Sequence, residues 1–221
     1  MNTCSALPHE LLDGWTSSHE IHPAGQIVGF HYHGVAEWLE VQRGDITFFS
    51  ISGEQWPLRV GSVLHIPRGE VHRAEIGADG VEYQMYLPVA LRTGFANSLA
   101  ADELDLLQLN LTFPLREENT DGHAADFFAA HLSDQLAFCR ADGNVVGKDA
   151  FREGFVAKGR SPSGTVSVLN RTANGLLLST VVTVGTGPAA QAFTNIRHFV
   201  KEGGAWRCRM WVNYPEAAAL S

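Results

Sequence analysis

Residues 26–89 break into short strand-like runs: Gln26–Tyr32, Ala36–Gln42, Ile46–Ile51, Gln55–Leu58, Ser62–Ile66, His72–Ile76 and Val81–Val89. Gly and Asp cluster between them, at Gly44-Asp45, Ser52-Gly-Glu54 and Gly77-Ala-Asp-Gly80. Evenly spaced short strands with such turn signals predict an antiparallel sandwich or barrel. The pattern changes at Ala100–Leu111, a helix-compatible stretch, so the chain is expected to divide near residue 95. With 221 residues, 45% of them hydrophobic, each half has enough apolar material for its own core. The expectation is one domain over residues 1–95 and another over residues 96–221.

The second half mixes periods. Asp121–Gln135 carries Ala124, Phe127, Phe128 and Leu132 at helical spacing, with Asp121 placed to cap its start. Leu136–Arg140 reads as a strand, Ala141–Asn144 as a hairpin turn and Lys148–Ala157 as a second short helix. Strands then follow at Thr165–Asn170, Leu176–Thr186, Gln191–Lys201 and Trp206–Tyr214. Helices followed by a long meander predict an α+β cone with a curved antiparallel sheet. In the last strand, alternation assigns Cys208, Met210, Val212 and Tyr214 to the core. It leaves Arg207, Arg209, Trp211 and Asn213 for a subunit interface or a pocket. Acid/base chemistry in this half has His131, Asp134, Arg140 and Tyr214 as cavity candidates, with His198 and Asn213 also available. No spacing singles out a pair.

The strongest chemical signal lies in the first half. His31 and His33 fall on one face of a strand because side chains alternate, and Gly34 permits a turn that returns Glu37 toward them. Pro67 and Gly69 punctuate a turn after Ser62–Ile66, and His72 opens the next strand. Three imidazoles and one carboxylate form a ligand set for one divalent transition metal per chain: Fe, Mn, Ni, Zn or Cu. His9, His22 and His65 read instead as surface or packed histidines.

These residues carry a resemblance. Gly25, His31, His33, Glu37 and Gly44 match the cupin motif G-x5-H-x-H-x3-E-x6-G, and Gly61, Pro67, Gly69 and His72 match G-x5-P-x-G-x2-H. The stretch from about residue 20 to 90 therefore resembles a small microbial cupin. That resemblance implies an all-β cupin barrel (a double-stranded β-helix) with the metal held by His31, His33, Glu37 and His72. The family motif usually continues to an Asn where this chain has Ile76, which implies a less polar pocket, with Ile76, Met85 and Leu87 as candidate pocket residues. Residues 100–215 resemble the nuclear-transport-factor-2-like superfamily, which includes ketosteroid-isomerase-like and polyketide-cyclase-like domains. The phrases Phe127–Phe138, Asp142–Phe151 and Arg197–Trp206 carry that likeness. Three functions follow as expectations. The first is a metal-dependent enzyme of dioxygenase or isomerase type acting on a small oxygenated or aromatic molecule, the second half shaping the pocket or pairing subunits. The others are a non-catalytic small-molecule binding or sensing protein, and isomerase or cyclase chemistry in the C-terminal cone.

Charge narrows the partners. With 16 basic and 24 acidic residues and a net charge of −8, the chain shows no basic stripe, so neither nucleic acid nor an anionic membrane is expected as a partner. No apolar run has the length of a membrane span, and the N-terminus lacks a secretory pattern. Cys4, Cys139 and Cys208 are odd in number and widely spaced, as free thiols of a reducing compartment would be. A small-molecule ligand, a cytoplasmic location and a homodimer are the resulting expectations.

Overall fold

The structure is a computed structural model that describes residues 1–4, 6–8, 14–88 and 96–216. His9, Val89 and the expected boundary at residue 95 lie outside the described residues. The chain divides into two compact units, Met1–Ala101 and Asp102–Ser221.

The first unit contains strands β1 Asn2–Cys4, β2 Trp15–His22, β3 Ile27–His33, β4 Glu37–Ser50, β5 Gln55–Arg59, β6 Val63–Ile66, β7 His72–Pro88 and β8 Ala96–Ser98. They form one antiparallel sheet in the order β1-β6-β4-β7-β3-β8, with β2 on β7 and β5 on β4. The two long strands change partners along their length: β4 pairs first with β6 and then with β5, while β7 pairs first with β3 and then with β2. That exchange curls the sheet into a half-barrel. Ala96–Ser98 pairs with Tyr32 and its neighbours on β3, so these residues belong to the first unit rather than to the second, where the sequence had put them.

The expected runs Ala36–Gln42 and Ile46–Ile51 fall on one strand, β4, and the runs from His72 and from Val81 fall on another, β7, which ends at Pro88. Gly44-Asp45 and Gly77–Gly80 are not hairpin turns. They lie opposite one another in the β4–β7 ladder, where the register shifts between Val41 and Arg43 and again between Gly44 and Ile46. Gly residues there serve bulges and a close backbone approach. At Gly44 (φ +71°) a Cβ atom would sit 1.9 Å from the Gly80 carbonyl oxygen. On the inner face, Leu39, Val41, Ile46, Phe48, Leu64 and Ile66 form an apolar cluster, each at most 5% exposed. Each such side chain contributes about 1.5–3 kcal/mol by leaving water.

The second unit contains α1 Ala101–Glu117, α2 Ala124–His131, β9 Leu132–Cys139, β10 Val145–Val146, α3 Lys148–Arg152, β11 Arg160–Pro162, β12 Ser167–Thr172, β13 Gly175–Val184, β14 Gln191–Glu202 and β15 Ala205–Pro215. Its sheet runs β10-β9-β15-β14-β13-β11, with β12 on β13. The β9–β15 pair is parallel and the rest are antiparallel. The helix expected to reach Gln135 ends at His131, because Leu132 turns extended and pairs with Cys208. The helix from Lys148 stops at Arg152 rather than Ala157. Phe113 of α1 is fully buried and meets Phe128, Phe199 and Trp211 edge-on at centroid distances of 5.5, 5.4 and 5.5 Å.

The expected alternation of the last strand fails partway. A bulge opposite His198/Phe199 inserts one residue between Cys208 and Met210, so Cys208 and then Trp211 both turn into the core at 0% exposure. Tyr214, expected in the core, is 55% exposed, and Trp211, expected at an interface or pocket, is interior. Among the described residues no helix is long and apolar enough to cross a membrane.

Candidate metal centre

His31 and His33 sit at the end of β3, Glu37 opens β4 and His72 opens β7. His31 is the register partner of His72, so strand pairing alone carries His72 to the His-x-His pair. The turn at Pro67–Gly69 fixes the remaining geometry. Glu70 N–H donates to Pro67 C=O at 3.1 Å, and Gly69 N–H donates to the carbonyl of His33 at 2.8 Å. The second cluster is thereby clipped to the first through backbone.

One ring nitrogen each from His31, His33 and His72 lies within 4.8 Å of the others. Glu37 Oε1 stands 3.5 Å from His33 Nε2 and 3.9 Å from His72 Nε2, too far for good hydrogen bonds. His31 Nδ1 lies 2.8 Å from the Gly29 carbonyl and His72 Nδ1 lies 2.9 Å from the Glu70 carbonyl. A carbonyl only accepts, so each Nδ1 carries the proton and each Nε2 presents its lone pair to the centre. Glu37 Oε2 is buried without a hydrogen-bond partner. An orphaned buried carboxylate oxygen costs stability unless something positive meets it.

Electrostatics point the same way. Burial pushes the Glu37 carboxyl up to about 8. Burial lowers His31, against the Gly29 carbonyl that raises it. His72 falls well below its ordinary value through burial and then the neighbouring His31. Without an ion, Glu37, His31 and His72 therefore favour their uncharged forms. Neutral imidazoles and a carboxylate able to give up its proton are the donors a divalent transition metal requires, and these residues fit one.

The remaining candidates divide. Ile76 shares a face of β7 with His72, and it packs in the apolar cluster opposite Ile46. The Phe48 ring of that cluster is 5.7 Å from the His72 ring. Met85 is half-buried opposite Leu39, and Leu87 is buried. His22 is packed, stacking on Tyr83 and lying 3.1 Å from its hydroxyl, and His65 stacks on Trp38 at 4.5 Å.

In the second unit the four cavity candidates do not converge. Arg140 lines a cavity of about 410 Å³; His131, Asp134 and Tyr214 do not. Asp134 is on the surface, where its Oδ1 meets Lys148 Nζ at 2.8 Å. His131 leans on Phe127 at the end of α2, and Tyr214 follows the bulge outward. The polar residues missed were Glu117, Asn195 and Arg197. Asn195 and Arg197 interrupt an inward series that runs from Phe193 to Phe199, and polar residues in such a series were the available signal. The Arg197 guanidinium is fully buried. It donates to Asn110 Oδ1 at 2.9 Å and Asn195 Oδ1 at 2.7 Å, and lies 4.1 Å from the Trp211 ring centre.

Residues 18–85, less than half of the chain, match the model of the cupin domain. No curated protein matches the chain significantly. Three solved structures illustrate the likenesses. A putative Ca/calmodulin-dependent kinase II association domain from Exiguobacterium sibiricum 255-15 is 13% identical at a TM-score of 0.43, covering 55% of this chain and 98% of its own. Salicylate 1,2-dioxygenase from Pseudoaminobacter salicylatoxidans, in complex with gentisate, is 13% identical at a TM-score of 0.32. That match covers 35% of this chain and 21% of the dioxygenase, so the alignment spans about a fifth of its length. The polyketide cyclase RemF from Streptomyces resistomycificus is 17% identical at a TM-score of 0.35, covering 42% of this chain and 68% of its own.

Proposed function

We propose that the cupin domain holds one divalent transition metal through His31, His33, Glu37 and His72, and that the protein is a metal-dependent enzyme acting on a small oxygenated or aromatic molecule. One observation carries this reading: the Nδ1 atoms of His31 and His72 are tied to carbonyls, which leaves their Nε2 lone pairs free, and the Glu37 carboxylate beside His33 and His72 has a buried oxygen with no hydrogen-bond partner. When bound, the ion supplies Lewis acidity or, if redox-active, a means of reaching dioxygen. The protein's own part is positioning and exclusion of water. The backbone clip at Gly69 holds the ligand-bearing strands together, and Phe48 and Ile76 keep that face of the barrel apolar. Such walls suit an aromatic or ketone-like substrate better than a sugar, because they offer no partners for a ring of hydroxyls.

In this reading the second unit is a nuclear-transport-factor-2-like cone serving pocket formation or dimerisation, supported by three helices and a long antiparallel meander around an aromatic core. The test is turnover. Apo-protein is reloaded separately with Fe(II), Mn(II), Ni(II) and Zn(II), then incubated with phenolic, enolic and ketonic compounds, with product read by mass spectrometry. Wild-type protein is expected to form product with at least one metal, and His72→Ala to lose about a hundredfold or more. Equal turnover by His72→Ala would remove the cupin centre from the chemistry.

A further inference from the structure

The 410 Å³ cavity of the second unit has a wall whose hydrogen-bonding direction is fixed from behind. Trp211 Nε1 donates to Asn195 Oδ1 at 3.2 Å and to Asn213 Oδ1 at 2.6 Å, and Arg197 Nη2 also donates to Asn195 Oδ1. An indole N–H and a guanidinium can only donate, so the oxygen of each amide faces the core. Both residues line the cavity, and the face each has left for it is the donating NH₂ group.

The charged lining agrees in sign. Arg160 is already committed: its Nε lies 3.3 Å from Glu117 Oε2 and its Nη1 lies 2.6 Å from Glu118 Oε1. That pairing also accounts for Glu117, the buried carboxylate of the lining. Asp142 remains as a lining acid, with Oδ1 accepting the Asn144 N–H at 2.9 Å. Against it stand Arg140 and Lys158, neither of which has a carboxylate within ion-pair distance among the described residues, although Lys158 acts at longer range on Glu117. Arg197, buried behind Asn195, adds positive charge to the same wall. The rest of the lining is apolar, and half of it is aromatic: Phe138, Phe151, Phe155 and Phe193.

A cavity with donors and two spare cations, flanked by aromatic rings, selects an occupant with a flat apolar body and an anionic oxygen group. We propose that this cavity binds a small aromatic carboxylate, its carboxylate met by Arg140, Lys158 and the amide nitrogens of Asn195 and Asn213, and its ring against Phe151 and Phe193. This site is separate from the metal ligands and does not depend on the reading given for them.

Calorimetric titration of the full-length protein with benzoate, 2-naphthoate and the uncharged isostere 2-naphthamide tests it. Either carboxylate is expected to bind one per chain, with 2-naphthoate at least about tenfold tighter than 2-naphthamide. Arg140→Gln and Lys158→Gln are each expected to weaken the carboxylate about three- to tenfold and leave the amide unchanged. Asn213→Asp keeps an oxygen for Trp211 and replaces a donor by a carboxylate oxygen. It is expected to abolish 2-naphthoate binding while retaining 2-naphthamide. Binding is also expected to survive in the His31→Ala/His33→Ala variant, and its loss there would assign the carboxylate to the metal centre instead. Equal affinity for naphthoate and naphthamide, no effect of the two cation variants, or no heat from either carboxylate at millimolar concentration overturns the proposal.

Discussion

Gly25 and Gly44 occupy equivalent left-handed backbone conformations, with φ of +70° and +71°, but their surroundings differ. A Cβ at Gly25 would find nothing within 4 Å. Alanine there costs only the conformational term, about 1–2 kcal/mol. At Gly44 the same atom would lie 1.9 Å from the Gly80 oxygen, 2.9 Å from its carbonyl carbon and 3.2 Å from Val81 Cα. All three are backbone atoms and none can rotate away. Relief requires β4 and β7 to part at their paired bulges, giving up two or so ladder hydrogen bonds at about 0.5–1.5 kcal/mol each and the packing beneath them. Gly44→Ala is therefore expected to destabilise the first unit by about 4–5 kcal/mol, roughly 3 kcal/mol more than Gly25→Ala. Urea unfolding of the full chain, with hydrogen exchange followed in peptides from Glu37–Ser50 and His72–Pro88, reads both variants. If the two alanines cost the same, Gly44 is needed only for its dihedral, and the close-approach argument for the β4–β7 bulges is refuted.

Two further predictions concern the second unit. Arg197→Met removes the donors to Asn110 and the stacking on Trp211 while filling most of the space, and is expected to cost about 3–5 kcal/mol in urea unfolding. Arg197→Lys should recover less than half, because an ammonium cannot span Asn110 and Asn195 while lying over the indole; full recovery would show that charge alone matters there. Burial pushes the Cys208 thiol up to about 12, so at pH 8 it carries almost no thiolate and is sealed from reagent. Maleimide labelling read by peptide mass spectrometry should mark Cys4 and Cys139 in native protein and Cys208 only in denaturant; Cys208 labelling as fast as Cys139 in native protein would contradict that packing.

How much was legible depended on the range of the interactions involved. The His-x-His pair and the turn before His72 are local patterns; the register that pairs His31 with His72 groups the three imidazoles, and Glu37 Oε1 lies 3.5 Å from His33 and 3.9 Å from His72. The punctuation was misread where it served a long-range purpose. Gly44 and Gly77–Gly80 look like turns in sequence, yet they are bulges facing each other across two strands, and only the partner strand reveals that. The alternation rule failed in β15 for a similar reason, since one extra residue near Arg209 reverses which side chains face inward. The Glu117–Arg160 pair joins a helix to a short edge strand far along the chain, a contact that no local spacing announces.

In the proposed function, His31, His33, Glu37 and His72 form one metal site. Its most direct test is elemental analysis of protein purified without added metal or chelator, wild type beside His31→Ala/His33→Ala, both checked for folding by circular dichroism. About one transition-metal ion per wild-type chain is expected, and nearly none in the double variant. Equal metal content in the two proteins would contradict it.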